Sequence, residues 1–73
     1  MITIYSKENC PFCVQAAALC AAKGLEHEVL KLDVDYTKEQ LVELCPVPVR
    51  SVPQIFMDGE HIGGFTELRA KLS

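Results

Sequence analysis

The sequence predicts an α/β domain with a four-stranded mixed sheet flanked by three helices, in the order β-α-β-α-β-β-α. Three observations lead there. Residues 1–5 and 28–34 show the two-residue alternation of strands, with helical spacing between them. Asp58-Gly59, a favoured two-residue turn, separates two short strand-like runs. Finally, 73 residues that are 49% hydrophobic allow one small domain, 1–73, and no second.

Each element has its own signal. Ile2 and Ile4 around Thr3 read as a buried strand, followed by a loop at 6–9. Pro11 suits a first helical position, where its missing N–H costs nothing. Val14, Ala17, Ala18 and Ala21 then recur at helical spacing up to Gly24, the expected C-terminal cap. In 28–34, Leu30, Leu32 and Val34 share one face, with Lys31 and Asp33 opposite. Thr37 and Gln40 form a capping-box pattern, and Leu41, Leu44 and Cys45 follow on one helical face until Pro46. Three prolines make 46–53 an extended loop, because a central strand needs the ladder donors they lack. Residues 54–57 and 60–62 form the hairpin, Gly63-Gly64 a turn, and 66–72 a two-turn helix.

Seven Lys and Arg against ten Asp and Glu give a net charge of -3, which argues against a phosphate-tracking nucleic-acid module or a polybasic membrane binder. Residues 1–5 lack the basic start of a signal peptide, and 14–22 is too short to span a bilayer. The expectation is a soluble cytoplasmic protein. Cysteines at 10, 13, 20 and 45 are irregularly placed, which favours a reducing compartment, where cysteines bind metal or exchange electrons.

Cys10 and Cys13, separated by Pro11 and Phe12 at a strand-to-helix junction, bring both sulfurs into the first helical turn, within reach of a disulfide. A Cys10 thiolate would face the unpaired N–H groups and positive end of the helix, which lower its pKa, and Lys7 adds positive charge nearby. Cys10 is therefore read as the exposed attacking sulfur, and Cys13, one turn in, as the shielded resolving one. Zinc and a purely structural pair are the other uses of C-x-x-C. A zinc site needs a second matched pair, whereas Cys20, Cys45, His27 and His61 are scattered, so no metal is expected. Cys20 and Cys45 read as buried small hydrophobes, and both histidines as solvated surface.

Three segments carry a resemblance to a known family. Cys10-Pro11-Phe12-Cys13, Ser51-Val52-Pro53-Gln54-Ile55-Phe56 and His61-Ile62-Gly63-Gly64-Phe65-Thr66-Glu67-Leu68 resemble the signature segments of the glutaredoxins, and the likeness covers essentially the whole chain. Phe12 stands where the family usually has Tyr, Ser51 where it has Thr, and Glu67 where it has Asp. The resemblance implies a thioredoxin-like fold and glutathione-dependent thiol–disulfide exchange by a monomer, with glutathione as co-substrate. Oxidised or glutathionylated proteins, ribonucleotide reductase among them, are the implied partners. It further implies a cis-proline at Pro53, a Val52 backbone that pairs with an extended thiol substrate, and a γ-glutamyl carboxylate site. That site is made by Gly64 and the amides of Phe65 and Thr66, with Glu67 beside them. Lys7 matches the lysine that attracts the glycyl carboxylate, Phe12 an apolar wall, and Gln40 a second contact that competes with its capping role. Thr66 is also expected to cap the last helix. Two alternatives remain at this stage: a redoxin reduced by thioredoxin reductase, and a glutathione-ligated iron–sulfur carrier, which the rigid Pro11 opposes.

Overall fold

The computed structural model describes residues 1–49 and 51–73; Arg50, inside the expected loop, lies outside the described residues. Seven elements run in the expected order: β1 (Ile2–Ser6), α1 (Pro11–Ala22), β2 (His27–Lys31), α2 (Lys38–Leu44), β3 (Gln54–Met57), β4 (Glu60–Gly63) and α3 (Phe65–Leu72). The sheet order is β2-β1-β3-β4. β1 pairs parallel to β2, with Ile4 opposite Val29, and antiparallel to β3, with Ile4 opposite Ile55; β3 and β4 are antiparallel. A parallel β1–β2 pair requires a crossover, which α1 supplies, whereas β3 and β4 need only a turn. That turn has positive φ at both Asp58 (51°) and Gly59 (85°), the conformation that Asp-Gly accepts most readily.

Strand alternation divides the packing between two faces. Ile2, Ile4 and Ile55 point to one side, where Ala16 and Cys20 of α1 and Leu68 of α3 close the main core. Tyr5 and Phe56 point to the other, joining a second cluster around Tyr36, Leu41 and Cys45 under α2. Tyr5 meets Tyr36 and Phe56 edge-on, with ring centroids 5.0 and 5.5 Å apart. The buried Tyr36 hydroxyl donates to the Ser6 carbonyl at 2.7 Å and so ties this cluster to the end of β1.

Helix ends follow the sequence closely. Pro11 opens α1. At its far end Gly24 adopts φ +66°, its N–H donates to Ala21 O at 3.1 Å, and the Leu25 N–H donates to Cys20 O at 2.9 Å, a Schellman closure. In α2 the Thr37 hydroxyl accepts from the Gln40 N–H at 3.2 Å, and Gln40 Oε1 accepts from the Thr37 N–H at 2.9 Å.

Four expectations change. The buried face of α1 is Cys13, Ala16 and Cys20, not the Val14-Ala17-Ala18-Ala21 stripe, and Val14 is 68% exposed. The helix is apolar almost all round, so spacing alone did not choose its inner face. β2 stops at Lys31, because Asp33 turns the chain with φ +65° and leaves Val34 74% exposed. His61 is half-buried: its Nε2 lies 2.7 Å from Gln54 Oε1, and its ring packs against Phe56. Gly64, not Thr66, occupies the N-cap of α3.

Because the Thr37 hydroxyl is the acceptor of the reciprocal cap, Thr37→Ala should lower unfolding free energy by about 1 kcal/mol. Urea titrations of the two proteins would read this as a lower midpoint with an unchanged slope.

Candidate active site

The chain leaves β1, passes Asn9 in the left-handed region (φ 56°), and enters α1 through Cys10, which is the N-cap residue itself. Asn tolerates that backbone better than most residues, and Pro11 presets the next φ. The Cys10 side chain thereby sits where a capping oxygen normally sits, and its Sγ accepts from the Cys13 N–H at 3.2 Å. The two cysteines are joined as a disulfide, with Cα atoms 5.2 Å apart. A capping N–H and the aligned dipoles of α1 would hold negative charge on Cys10 once that bond is reduced.

Cys13 is shielded, as expected. Cys10 is not the exposed residue the sequence suggested: only 7% of it is accessible. Its capping position tucks it under the 51–53 loop, with Sγ 3.8 Å from the Val52 carbonyl oxygen. Cys10 and Cys13 also line an open trough of about 850 Å³ together with Lys7, Val14 and Val29.

On the other side of Phe12 lies a groove of about 220 Å³ between the 51–53 loop and the start of α3. Phe12, Val52, Pro53, Gly64, Phe65, Thr66 and Glu67 line it, all of them singled out by the sequence, together with Ser51. The Val52–Pro53 peptide is cis. Phe12, 58% exposed, and Phe65 face each other at 6.0 Å between centroids and wall one end. Phe65 and Thr66 are the first residues of α3, and the amides of a first helical turn have no acceptor within the helix, so they point partial positive charge outward. Glu67 Oε1 accepts the Gly64 N–H at 2.7 Å and pins the turn.

The two glycines serve differently. Gly63 has φ +116°, and a Cβ there would stand 2.8 Å from Glu67 Oε1, so it must be glycine for both reasons. Gly64 has ordinary extended backbone, and a Cβ there would lie 3.4 Å from the Pro53 carbonyl oxygen, directed toward the groove. Lys7 borders the trough and also a second depression shared with Ser51 and Val52. Gln40 is not brought to this centre: its Oε1 is committed to the cap, and it lines a separate hollow with Tyr5 and Tyr36. Sequence reasoning missed Ser51 as a lining residue and Tyr36 as the buried anchor. Ser51 belonged to a recognised motif, whereas nothing local marked Tyr36. Among the described residues no cluster of His, Cys, Asp and Glu could hold a metal ion, and no helix is long and apolar enough to cross a membrane.

A disulfide held at a helix tip, whose sulfur is stabilised on reduction, takes up two electrons from thiols and gives them back. On this fold it makes the chain a thiol–disulfide oxidoreductase of thioredoxin-like architecture. The family model described as Glutaredoxin matches residues 2–62. Glutaredoxin 3 of Escherichia coli K12 is 41% identical over 70 residues, covering 94% of this chain and 82% of its own. The solved structure of reduced E. coli glutaredoxin superposes with a TM-score of 0.84 at 32% identity, over 97% of this chain and 91% of that one. A buckwheat glutaredoxin–glutathione complex superposes at 0.82 with 25% identity, over 97% of this chain and 66% of that one. The chain belongs to the glutaredoxin family.

Cys20 and Cys45 are free and buried, and burial pushes both thiols above their ordinary pKa. A raised thiol pKa leaves less thiolate at any given pH. In the reduced protein at mildly acidic pH, iodoacetamide should therefore label Cys10 first and leave Cys20 and Cys45 intact until the solution is distinctly alkaline. Peptide mapping checks this, and prior labelling of Cys13 or Cys20 would overturn the assignment of the attacking sulfur.

Proposed function

We propose that the protein is a glutathione-dependent dithiol reductase of protein disulfides and glutathione mixed disulfides. The observation that carries this reading is the groove beside Phe12, where the cis-proline loop, Gly64 and the first amides of α3 converge next to the reactive disulfide. A γ-glutamyl carboxylate would be received by the Phe65 and Thr66 amides, and the peptide backbone would run along Val52. Lys7 lies on the far side of Val52 and supplies a cation for a glycyl carboxylate. The solved buckwheat relative, a complex with glutathione, supports the same use here.

The reduced enzyme starts with a Cys10 thiolate. Its attack on a substrate disulfide forms a bond between Cys10 Sγ and one substrate sulfur, and the other leaves as a thiolate that takes up a proton. Cys13, having lost its proton, attacks Cys10 Sγ; the substrate departs as a dithiol and the Cys10–Cys13 disulfide remains. Two electrons have passed to the substrate. One glutathione thiolate then opens the enzyme disulfide to a mixed disulfide at Cys10, and a second attacks its glutathione sulfur, releasing glutathione disulfide and the Cys10 thiolate. For a glutathione mixed disulfide, Cys10 alone is needed, because the second glutathione replaces Cys13 as resolving thiol. The same chemistry suits a monomer working in the cytoplasm on oxidised proteins, with ribonucleotide reductase as one candidate.

Oxidised protein supplied with NADPH should be reduced quickly by glutathione plus glutathione reductase and poorly by thioredoxin reductase alone. The reverse preference, followed as NADPH consumption, would replace this reading by a thioredoxin-reductase-dependent one. A brown, cluster-bearing dimer on purification would point instead to the iron–sulfur carrier.

Gly64→Val fills the groove without demanding positive φ. It should raise the KM for glutathione by roughly tenfold or more, about 1.4 kcal/mol of binding, while iodoacetamide still labels Cys10 at the parental rate. Loss of both together would signal misfolding, and an unchanged KM would remove the groove from glutathione recognition.

A further inference from the structure

The peptide that joins Ser51 to Val52 carries two polar groups that face opposite ways. Among the described residues the cis bond is Val52–Pro53, so the Ser51–Val52 peptide is trans and planar, and the direction of its carbonyl fixes the direction of its N–H. The carbonyl accepts from Gln54 Nε2 at 2.8 Å. The N–H, on half-buried Val52, has no backbone acceptor among the described residues and is available to a bound chain.

Gln54 is itself held. The Ser51 carbonyl can only accept, so the Gln54 amide turns its NH2 group toward it and its oxygen toward β4. There Oε1 lies 2.7 Å from His61 Nε2, and that nitrogen must carry the proton, because an amide oxygen can only accept. His61 is half-buried, with its ring edge-on to Phe56 at 5.1 Å between centroids. A relay of contacts thus runs from β4, through the first residue of β3, to the loop beside Cys10. Packing of Val52 in the α2 cluster sets where that loop lies, and the relay sets which way its peptide faces.

We infer that Gln54, oriented by His61, is a positioning residue for thiol–disulfide exchange: by holding the Ser51 carbonyl it aims the Val52 N–H at the backbone of a peptide-bearing substrate docked at Cys10. A donor on the carbonyl also polarises the peptide and strengthens its N–H as a donor. Neither Gln54 nor His61 lines the groove beside Phe12, so both act through the loop. The inference rests on the glutathione reading only in taking Val52 as the residue that pairs with substrate.

The test follows single turnovers of the pre-reduced protein on three disulfides: the mixed disulfide of glutathione and mercaptoethanol, a short peptide closed by an internal disulfide, and bis(2-hydroxyethyl) disulfide. The first two present backbone to Val52, whereas the third has no peptide group. Gln54→Met keeps the length of the side chain, adds no charge and removes both hydrogen bonds. It should slow the first two reactions by about three- to tenfold and leave the third at the parental rate. His61→Phe keeps a ring against Phe56 but frees the Gln54 amide to turn; the same pattern should appear at about twofold. The double variant should be no slower than Gln54→Met alone, because both changes act through one peptide. Equal slowing on all three disulfides would mean a displaced Cys10 and would overturn the inference. So would an unchanged rate on the peptide disulfide, or additive losses in the double variant. Urea titration establishes that each variant is folded at the assay temperature, and His61→Phe carries the test where Gln54→Met is not. The peptide measurement contains no glutathione, so it decides the matter even where the glutathione reading fails.

Discussion

The position of one sulfur organises this molecule. Cys10 is at once the end of the β1–α1 connection, the N-cap of α1 and one half of the disulfide. A capping side chain must approach the free amides of the first turn, and here the approaching atom is Sγ, 3.2 Å from the Cys13 N–H. Serine or asparagine at that position would cap equally well and do no redox chemistry. With cysteine there, the interaction that starts the helix also lowers the energy of the thiolate, so local folding and reactivity share a cause.

The remainder of the site is held against that sulfur from two directions. From the main core, Leu68 anchors α3, and Glu67 closes the Gly63-Gly64 turn on the Gly64 amide, which fixes the outward amides of Phe65 and Thr66. From the second cluster, Val49 and Val52 pack toward Leu41 and Cys45 under α2, and Tyr36 fastens the cluster to Ser6 at the end of β1. The cis-proline loop has no strand pairing of its own, so this packing is what holds it beside Cys10. The α2 cluster contributes no reacting atom, yet it sets the separation between Val52 and the nucleophile.

Legibility in the sequence divides along the same lines. Most caps and turns are legible because their signals are local: Pro11 opening a helix, Gly24 closing it, Thr37 with Gln40, and Asp58-Gly59 each fix a backbone conformation whatever surrounds them, and the cap of α3, expected at Thr66 and found at Gly64, is the exception. Burial was read less well where local chemistry is neutral. An alanine-rich helix offers several similar faces, and the parallel pairing of β1 with β2 decided that Cys13, Ala16 and Cys20 face inward. Val34 looked like a strand residue until Asp33 turned the chain. Of the residues that the resemblance assigns to glutathione, those in the three motifs lie together along one groove, whereas Lys7 borders the neighbouring depression and Gln40 a separate hollow. Tyr36 escaped notice because its partner, the Ser6 carbonyl, is 30 residues away and invisible to any local pattern.

Electrostatics complete the picture. The acidic chain excludes broad attraction to anions, so any affinity for carboxylates must be built locally. Two local sources of positive potential lie around one sulfur: backbone dipoles at the start of α3 on one side of Val52, and the Lys7 side chain on the other. Dipoles of fixed amides select by position and suit a small ligand that always presents its carboxylate in the same place. Long flexible lysines tolerate variation and suit chains whose carboxylates differ in reach. On the proposed reading, a reductase with one constant thiol donor and varied protein disulfides has use for both kinds of surface, and Val52 lies where the two meet.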